Sequence, residues 1–131
     1  MNSHHFEAMG TKWCLMSEVS VPFAPVEALV RRFEQMFSRF LPDSALSQLN
    51  QNRSIHHPEL ATLTVEALAM KEATRGAFDP TLGDELKTLG YDRPFQFGLR
   101  EPAPGPFSAL RVWTDGECVA LEGSGTLDLG G

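Results

Sequence analysis

Proline placement constrains this chain more than any other feature. Pro25 and Pro42 bracket one run of apolar residues at helical spacing, and Pro58 opens a second run that ends before Asp79-Pro80. A proline is tolerated in the first turn of a helix, where its missing N–H has no partner to lose, and it stops a helix elsewhere. Val26, Leu29, Val30, Phe33, Met36, Phe37 and Phe40 therefore read as one face of a helix that begins near Pro25 and ends before Pro42. The second helix carries Leu60, Leu63, Ala67 and Met70 on one stripe, with Glu59 in its first turn and Lys71 and Arg75 near its end. Those charges complement the helix dipole, and Gly76 is the expected C′ residue. Between the two, Asp43 and Ser44 can each cap a short helix over residues 45–49 that buries Leu46 and Leu49 and stops in the polar run 50–54.

The rest reads as extended structure and turns. Residues 6–19 alternate through Trp13, Leu15 and Val19 around a turn at Gly10, and either two strands or one bent strand fits. Asp79 precedes a proline and is pushed out of the helical region, so Thr81 can cap a short helix that ends at Gly90. Residues 92–106 hold prolines and glycines with little periodicity and read as a loop or linker. Two β-rich runs between Leu110 and Leu121 flank Asp115-Gly116, the dipeptide favoured by type I′ hairpins. After Gly123-Ser124-Gly125, the residues 126–129 read as a short buried strand with Leu127 and Leu129 on one face and Asp128 on the other. The fold class expected is α+β, with two main helices packed on mostly antiparallel strands.

Composition narrows the possible partners. With 42% apolar and 21% charged residues, the 131-residue chain can build a sizeable core. Its net charge of −6, with eleven scattered Lys and Arg, argues against nucleic acid, whose phosphates require a basic surface. A single pyrophosphate remains compatible, because backbone N–H groups and a metal can hold one in an acidic protein. Cys14 and Cys118 lie in separate apolar runs without C-x-x-C spacing and read as buried free thiols rather than a disulfide or zinc site. No apolar segment is long enough to span a membrane and residues 1–7 lack a signal-peptide pattern, so the chain as it stands is expected in the cytoplasm. A periplasmic or membrane-anchored location would follow if a signal had been removed.

Few residues point to chemistry on their own. A short strand running into Gly130-Gly131 presents bare backbone N–H groups to an anion, or else forms a flexible glycine-rich tail. Asp79 either accepts hydrogen bonds from a planar ligand packed on Phe78, or organises an Asx-turn while Phe78 joins the core. The pairs His4-His5 and His56-His57 lack helical metal-ligand spacing and read as surface residues or caps. No G-x-S-x-G nucleophile motif, P-loop or G-x-G-x-x-G fingerprint is present.

Four segments nevertheless fall in an order that resembles the ApbE family. They are Ala8-Met9-Gly10-Thr11; the stretch from Phe37-Ser38-Arg39-Phe40 through Asp43-Ser44-Ala45-Leu46-Ser47 to Leu49-Asn50; Gly76-Ala77-Phe78-Asp79-Pro80-Thr81-Leu82-Gly83; and Leu127-Asp128-Leu129-Gly130-Gly131. The resemblance implies an FAD:protein FMN transferase, in which Mg²⁺ assists cleavage of FAD at its pyrophosphate. The FMN half then passes to a threonine or serine hydroxyl of an acceptor flavoprotein, and AMP leaves. Hydrolysis of FAD, or FAD binding without a protein acceptor, is the alternative. By motif, Met9, Phe40, Ala77, Phe78, Asp79 and Gly130 would contact FAD, with Phe40 where the family often has tyrosine but without its hydroxyl. Residues 1–131 are then expected to be the N-terminal part of a single ApbE-like domain that stops within its glycine motif. The Mg²⁺ ligands would lie beyond Gly131, and these residues alone would transfer no FMN.

Overall fold

A computed structural model describes residues 1–89 and 109–129. It begins with a hairpin of β1 (Asn2–Ala8) and β2 (Thr11–Ser17), followed by helices α1 (Ala24–Phe37) and α2 (Ala45–Asn52). Strand β3 (Ser54–His56), helix α3 (Pro58–Ala73) and the short helix α4 (Gly83–Thr88) come next. The second hairpin is β4 (Arg111–Thr114) and β5 (Cys118–Glu122). All strand pairings are antiparallel among the described residues: β1 with β2 in one sheet, and the order β3-β5-β4 in the other. The α+β expectation therefore holds.

The main core lies where α2 and α3 meet β5. Leu46, Leu49, Leu60, Ala61, Val119 and Leu127 are all fully buried there, and each large side chain among them contributes about 1.5–3 kcal/mol relative to exposure. Ser44 rather than Asp43 caps α2, accepting the Ser47 amide at 3.0 Å, and the helix runs on to Asn52, past the expected stop. Arg53 then turns the chain with φ 69°. The polar run in which the helix is expected to stop thus supplies its last residues and the first residue of an edge strand, β3. His57 caps α3 by accepting the Leu60 amide on Nδ1 at 3.0 Å, one of the two roles expected of the histidines.

Several local expectations are corrected. Helix α1 stops at Phe37 because Ser38 is extended (φ −80°, ψ 121°), which leaves Phe40 in the following loop. Only Val30, Met36 and Phe37 of its apolar face are buried; Val26, Leu29 and Phe33 are exposed, as is Met70 on α3. The C′ residue of α3 is Arg75 (φ 54°), not Gly76: the Gly76 amide reaches Lys71 O at 2.9 Å and the Arg75 amide reaches Glu72 O at 3.0 Å, a Schellman pair. Thr81 does not cap α4, whose N-cap is Leu82. The type I′ geometry expected at Asp115-Gly116 occurs instead at Met9-Gly10 (φ 55° and 69°). At the second hairpin only Gly116 has positive φ, and the Asp115 carboxylate accepts the amides of Glu117 and Cys118 at 2.9 and 2.8 Å.

Strand β1 begins at Asn2, earlier than expected, and Val19 lies beyond the end of β2 and is exposed. Both cysteines are free, but Cys14 is exposed and Cys118 half-buried. Cys14 pairs with His5 on the face of β1–β2 opposite the one where Phe6 and Trp13 stack and Val30 packs, so burial by α1 misses it. The linker over residues 92–106, the helix end at Gly90, and Gly130-Gly131 lie outside the described residues.

Residues 126–129 form no strand, although Leu127 and Asp128 are buried and Thr126 and Leu129 half-buried. Their polar backbone groups find irregular partners: the Asn50 side chain accepts the Leu127 amide at 2.8 Å and donates to the Leu127 carbonyl at 2.9 Å. The Asp128 amide donates to Pro80 O at 2.8 Å, and the Gly83 amide donates to Thr126 O at 3.2 Å. Upstream, the Arg53 guanidinium donates to Gly125 O at 2.7 Å and Gly123 O at 2.8 Å. This segment, which one reading took for a flexible tail, is pinned because burial requires each backbone group to be satisfied.

Candidate functional site

The β1–β2 turn, the C-terminal end of α1 and the segment 126–129 enclose a cleft of about 470 Å³, within the range of sites that hold small organic ligands. Met9, Phe33, Phe37, Phe40, Leu63, Leu86 and Leu129 form its apolar walls, and Ser38, Arg39 and Asp128 are its polar members.

Each wall has a local cause. The tight turn places Met9 in the left-handed region, which is uncommon for a residue other than glycine. Its amide is held by the Glu34 carboxylate of α1. The hairpin behind it is fastened to α1 by the apolar contact of Phe6 and Ala8 with Val30, and by His4, whose Nε2 lies 2.6 Å from the Glu27 carboxylate. Hydrogen bonds from His4 and Arg31 outweigh desolvation and hold the Glu27 carboxyl below its ordinary pKa. From α1, Phe33 and Phe37 present rings 5.4 Å apart.

The Phe40 wall is set by the loop after α1. The Phe40 amide donates to Ser38 Oγ at 3.2 Å, Ser44 Oγ donates to Ser38 O at 2.6 Å, and Ser47 Oγ donates to Arg39 O at 3.4 Å. The guanidinium of Arg39 stacks over the Phe40 ring, 4.5 Å from its centroid. Arg39 Nε also donates to Asp128 Oδ2 at 3.1 Å, in a pair whose side chains are only 4% and 9% exposed. The opposite charges offset one another, so the cleft offers an apolar, aromatic surface without net charge from this pair. Such a surface suits a planar, uncharged ring better than a phosphate.

Of the residues expected at a site, Met9 and Phe40 are brought together from distant positions in the chain. Ala77, Phe78 and Asp79 are not among the cleft's lining residues; they belong to the turn after α3, whose Pro80 carbonyl accepts the amide of the cleft residue Asp128. Gly130 lies outside the described residues. Asp79 organises the Asx-turn that was one of its two readings: Oδ1 accepts the Thr81 amide at 2.9 Å and the Thr81 hydroxyl at 2.6 Å, with Lys71 Nζ at 3.2 Å. Burial pushes the Asp79 carboxyl up, but the Thr81 and Lys71 hydrogen bonds outweigh it and hold the pKa below the ordinary value.

Sequence reasoning missed the Arg39–Asp128 pair. The available signal was an aspartate between Leu127 and Leu129 in a segment read as buried, since a buried carboxylate needs a partner. Among the described residues, no group of three or more His, Cys, Asp or Glu side chains converges to hold a metal ion. No helix of the described residues is long and apolar enough to cross a membrane.

Comparison with known proteins gives a consistent picture. The ApbE family profile matches residues 9–131. A curated FAD:protein FMN transferase from Haemophilus influenzae is 26% identical over 102 residues, covering 74% of this chain and 29% of that protein. The crystal structure of the ApbE protein from Thermotoga maritima aligns with 98% of this chain at a TM-score of 0.74 and 24% identity. The apo flavinyl transferase ApbE of Pseudomonas stutzeri aligns over 98% at 0.73 and 20% identity. The chain spans 47% and 49% of the lengths of those two structures.

Proposed function

Because this chain belongs to the ApbE family, we propose that its cleft binds the flavin of FAD in the service of FMN transfer to a protein. In this reading FAD is the substrate, its pyrophosphate is cleaved, and the FMN half passes to a threonine or serine hydroxyl of an acceptor flavoprotein while AMP departs. The name of the Haemophilus influenzae relative supports that assignment. The observation that carries it is the convergence of Met9 and Phe40 on one largely apolar cleft of flavin-compatible size.

The chain's own contribution is binding and orientation. Phe40 offers a ring face for stacking, worth about 0.5–1.5 kcal/mol beyond the area it covers, and Met9 adds an apolar side chain to the same cleft. The turn at Asp79 braces the backbone that carries Leu129 into the cleft. Mg²⁺ would supply charge neutralisation at the phosphates. Among the described residues, no group of three or more His, Cys, Asp or Glu side chains is placed to hold it.

Titrating FAD with the protein and following flavin fluorescence tests this reading. Binding should be saturable and should weaken by about threefold to tenfold in Phe40→Leu, the range that aromatic stacking energies imply. Absence of any flavin response in the wild type would sink the proposal. Adding Mg²⁺ and an acceptor protein then separates the outcomes: an FMN mass increment on the acceptor supports transfer, whereas AMP released without acceptor supports hydrolysis.

A further inference from the structure

Phe40 is fixed in its backbone but not, by that alone, in its ring. The Ser38, Ser44 and Ser47 contacts hold the loop, yet they leave both side-chain torsions of Phe40 to be set by what lies against the ring. Among its neighbours is the Arg39 guanidinium, 4.5 Å from the ring centroid. That guanidinium is buried and oriented by Asp128, which arrives from the far end of the described chain. A planar guanidinium stacks on an aromatic face and can hold a carboxylate at its edge at the same time; a lysine ammonium offers a point charge and no plane.

We propose that Arg39 is a positioning residue: oriented by Asp128, it fixes the plane of the Phe40 ring and so sets the aromatic wall of the cleft before a ligand arrives. The inference rests on the reading of the cleft as a flavin site. It assigns two roles that the motif comparison did not. Pre-ordering the ring lowers the entropy lost on binding, so the contribution appears as affinity rather than as a new contact with the ligand.

A double-mutant cycle with riboflavin as the fluorescent probe tests this, using the wild type, Arg39→Lys, Phe40→Leu and the double variant, each checked for cooperative melting. Arg39→Lys should weaken riboflavin binding about fivefold when Phe40 is present, the scale of a cation–π contact, and less than about twofold in the Phe40→Leu background. An equal factor in both backgrounds, or no effect in either, overturns the proposal. Should Arg39→Lys fail to fold, Asp128→Asn replaces it in the same cycle with the same expectation.

A ligand-free readout keeps this inference separate from the function reading. By NMR, the Arg39 Nε–H proton should show an upfield ring-current shift that Phe40→Leu removes. If riboflavin does not bind the wild type, the flavin reading fails and this shift alone decides the positioning. An unchanged Arg39 resonance in Phe40→Leu refutes it.

Discussion

Replacing Asn50 with alanine should destabilise this protein more than its half-buried position suggests. The Asn50 side chain makes both backbone hydrogen bonds of Leu127, at 2.8 and 2.9 Å, and Leu127 is fully buried. In alanine both backbone groups lose their partner, and a buried unsatisfied group costs about 1–3 kcal/mol. The sum is about 2–6 kcal/mol, a large share of the roughly 5–15 kcal/mol typical of a whole domain. Asn50 also borders a polar cleft with Ser47, Gln51, Lys87 and Thr126, and water entering from that side sets the low end of the range. At a slope of about 2 kcal/mol/M, urea unfolding should show the midpoint falling by about 1–3 M, with the slope unchanged. Asn50→Asp is the informative companion: it retains an acceptor for the Leu127 amide but sets a carboxylate oxygen against the Leu127 carbonyl, so it should recover little of the loss at neutral pH. A loss below about 0.5 kcal/mol in Asn50→Ala would refute the idea that this side chain stands in for a neighbouring strand.

Two further predictions concern the turn that braces the same segment. A Cβ on Gly83 would lie 2.9 Å from the Thr126 carbonyl and closer still to its hydroxyl, so Gly83→Ala should cost about 1–3 kcal/mol, read as a lowered Tm. For Asp79 the folded-state pKa is depressed, so its stabilising contribution is complete above the ordinary aspartate pKa and is lost as pH falls through the folded value. Asp79→Asn should therefore lower stability at pH 7 and flatten the acid limb of the stability profile; an unaltered acid limb would show that Asp79 is not its source.

Much of the architecture was legible because local rules and tertiary packing agree. Pro25, Pro58 and the apolar stripes placed α1 and α3, Leu46 and Leu49 were identified as buried, and Asp115-Gly116 marked a hairpin. The misses fall where one local signal served two outcomes. Asp-Gly was read as a type I′ turn, but the Asp115 carboxylate captures two amides and stabilises a longer loop, whereas Met9 accepts positive φ because the hairpin register and the Glu34 carboxylate hold it there. Alternation at Leu127-Asp128-Leu129 signalled burial correctly and strand wrongly, since the pattern reports which side chains are covered and not what satisfies the backbone.

By itself, the sequence determined the two long helices, the second hairpin, the family resemblance and the candidate residues Met9 and Phe40, because proline geometry, apolar period and motif order act over short distances. Only the tertiary structure decided that those two residues share a cleft that Ala77, Phe78 and Asp79 do not line. It alone paired Arg39 with Asp128 and Asn50 with Leu127. These partners lie more than seventy residues apart, and their need for one another arises only once folding removes water from both.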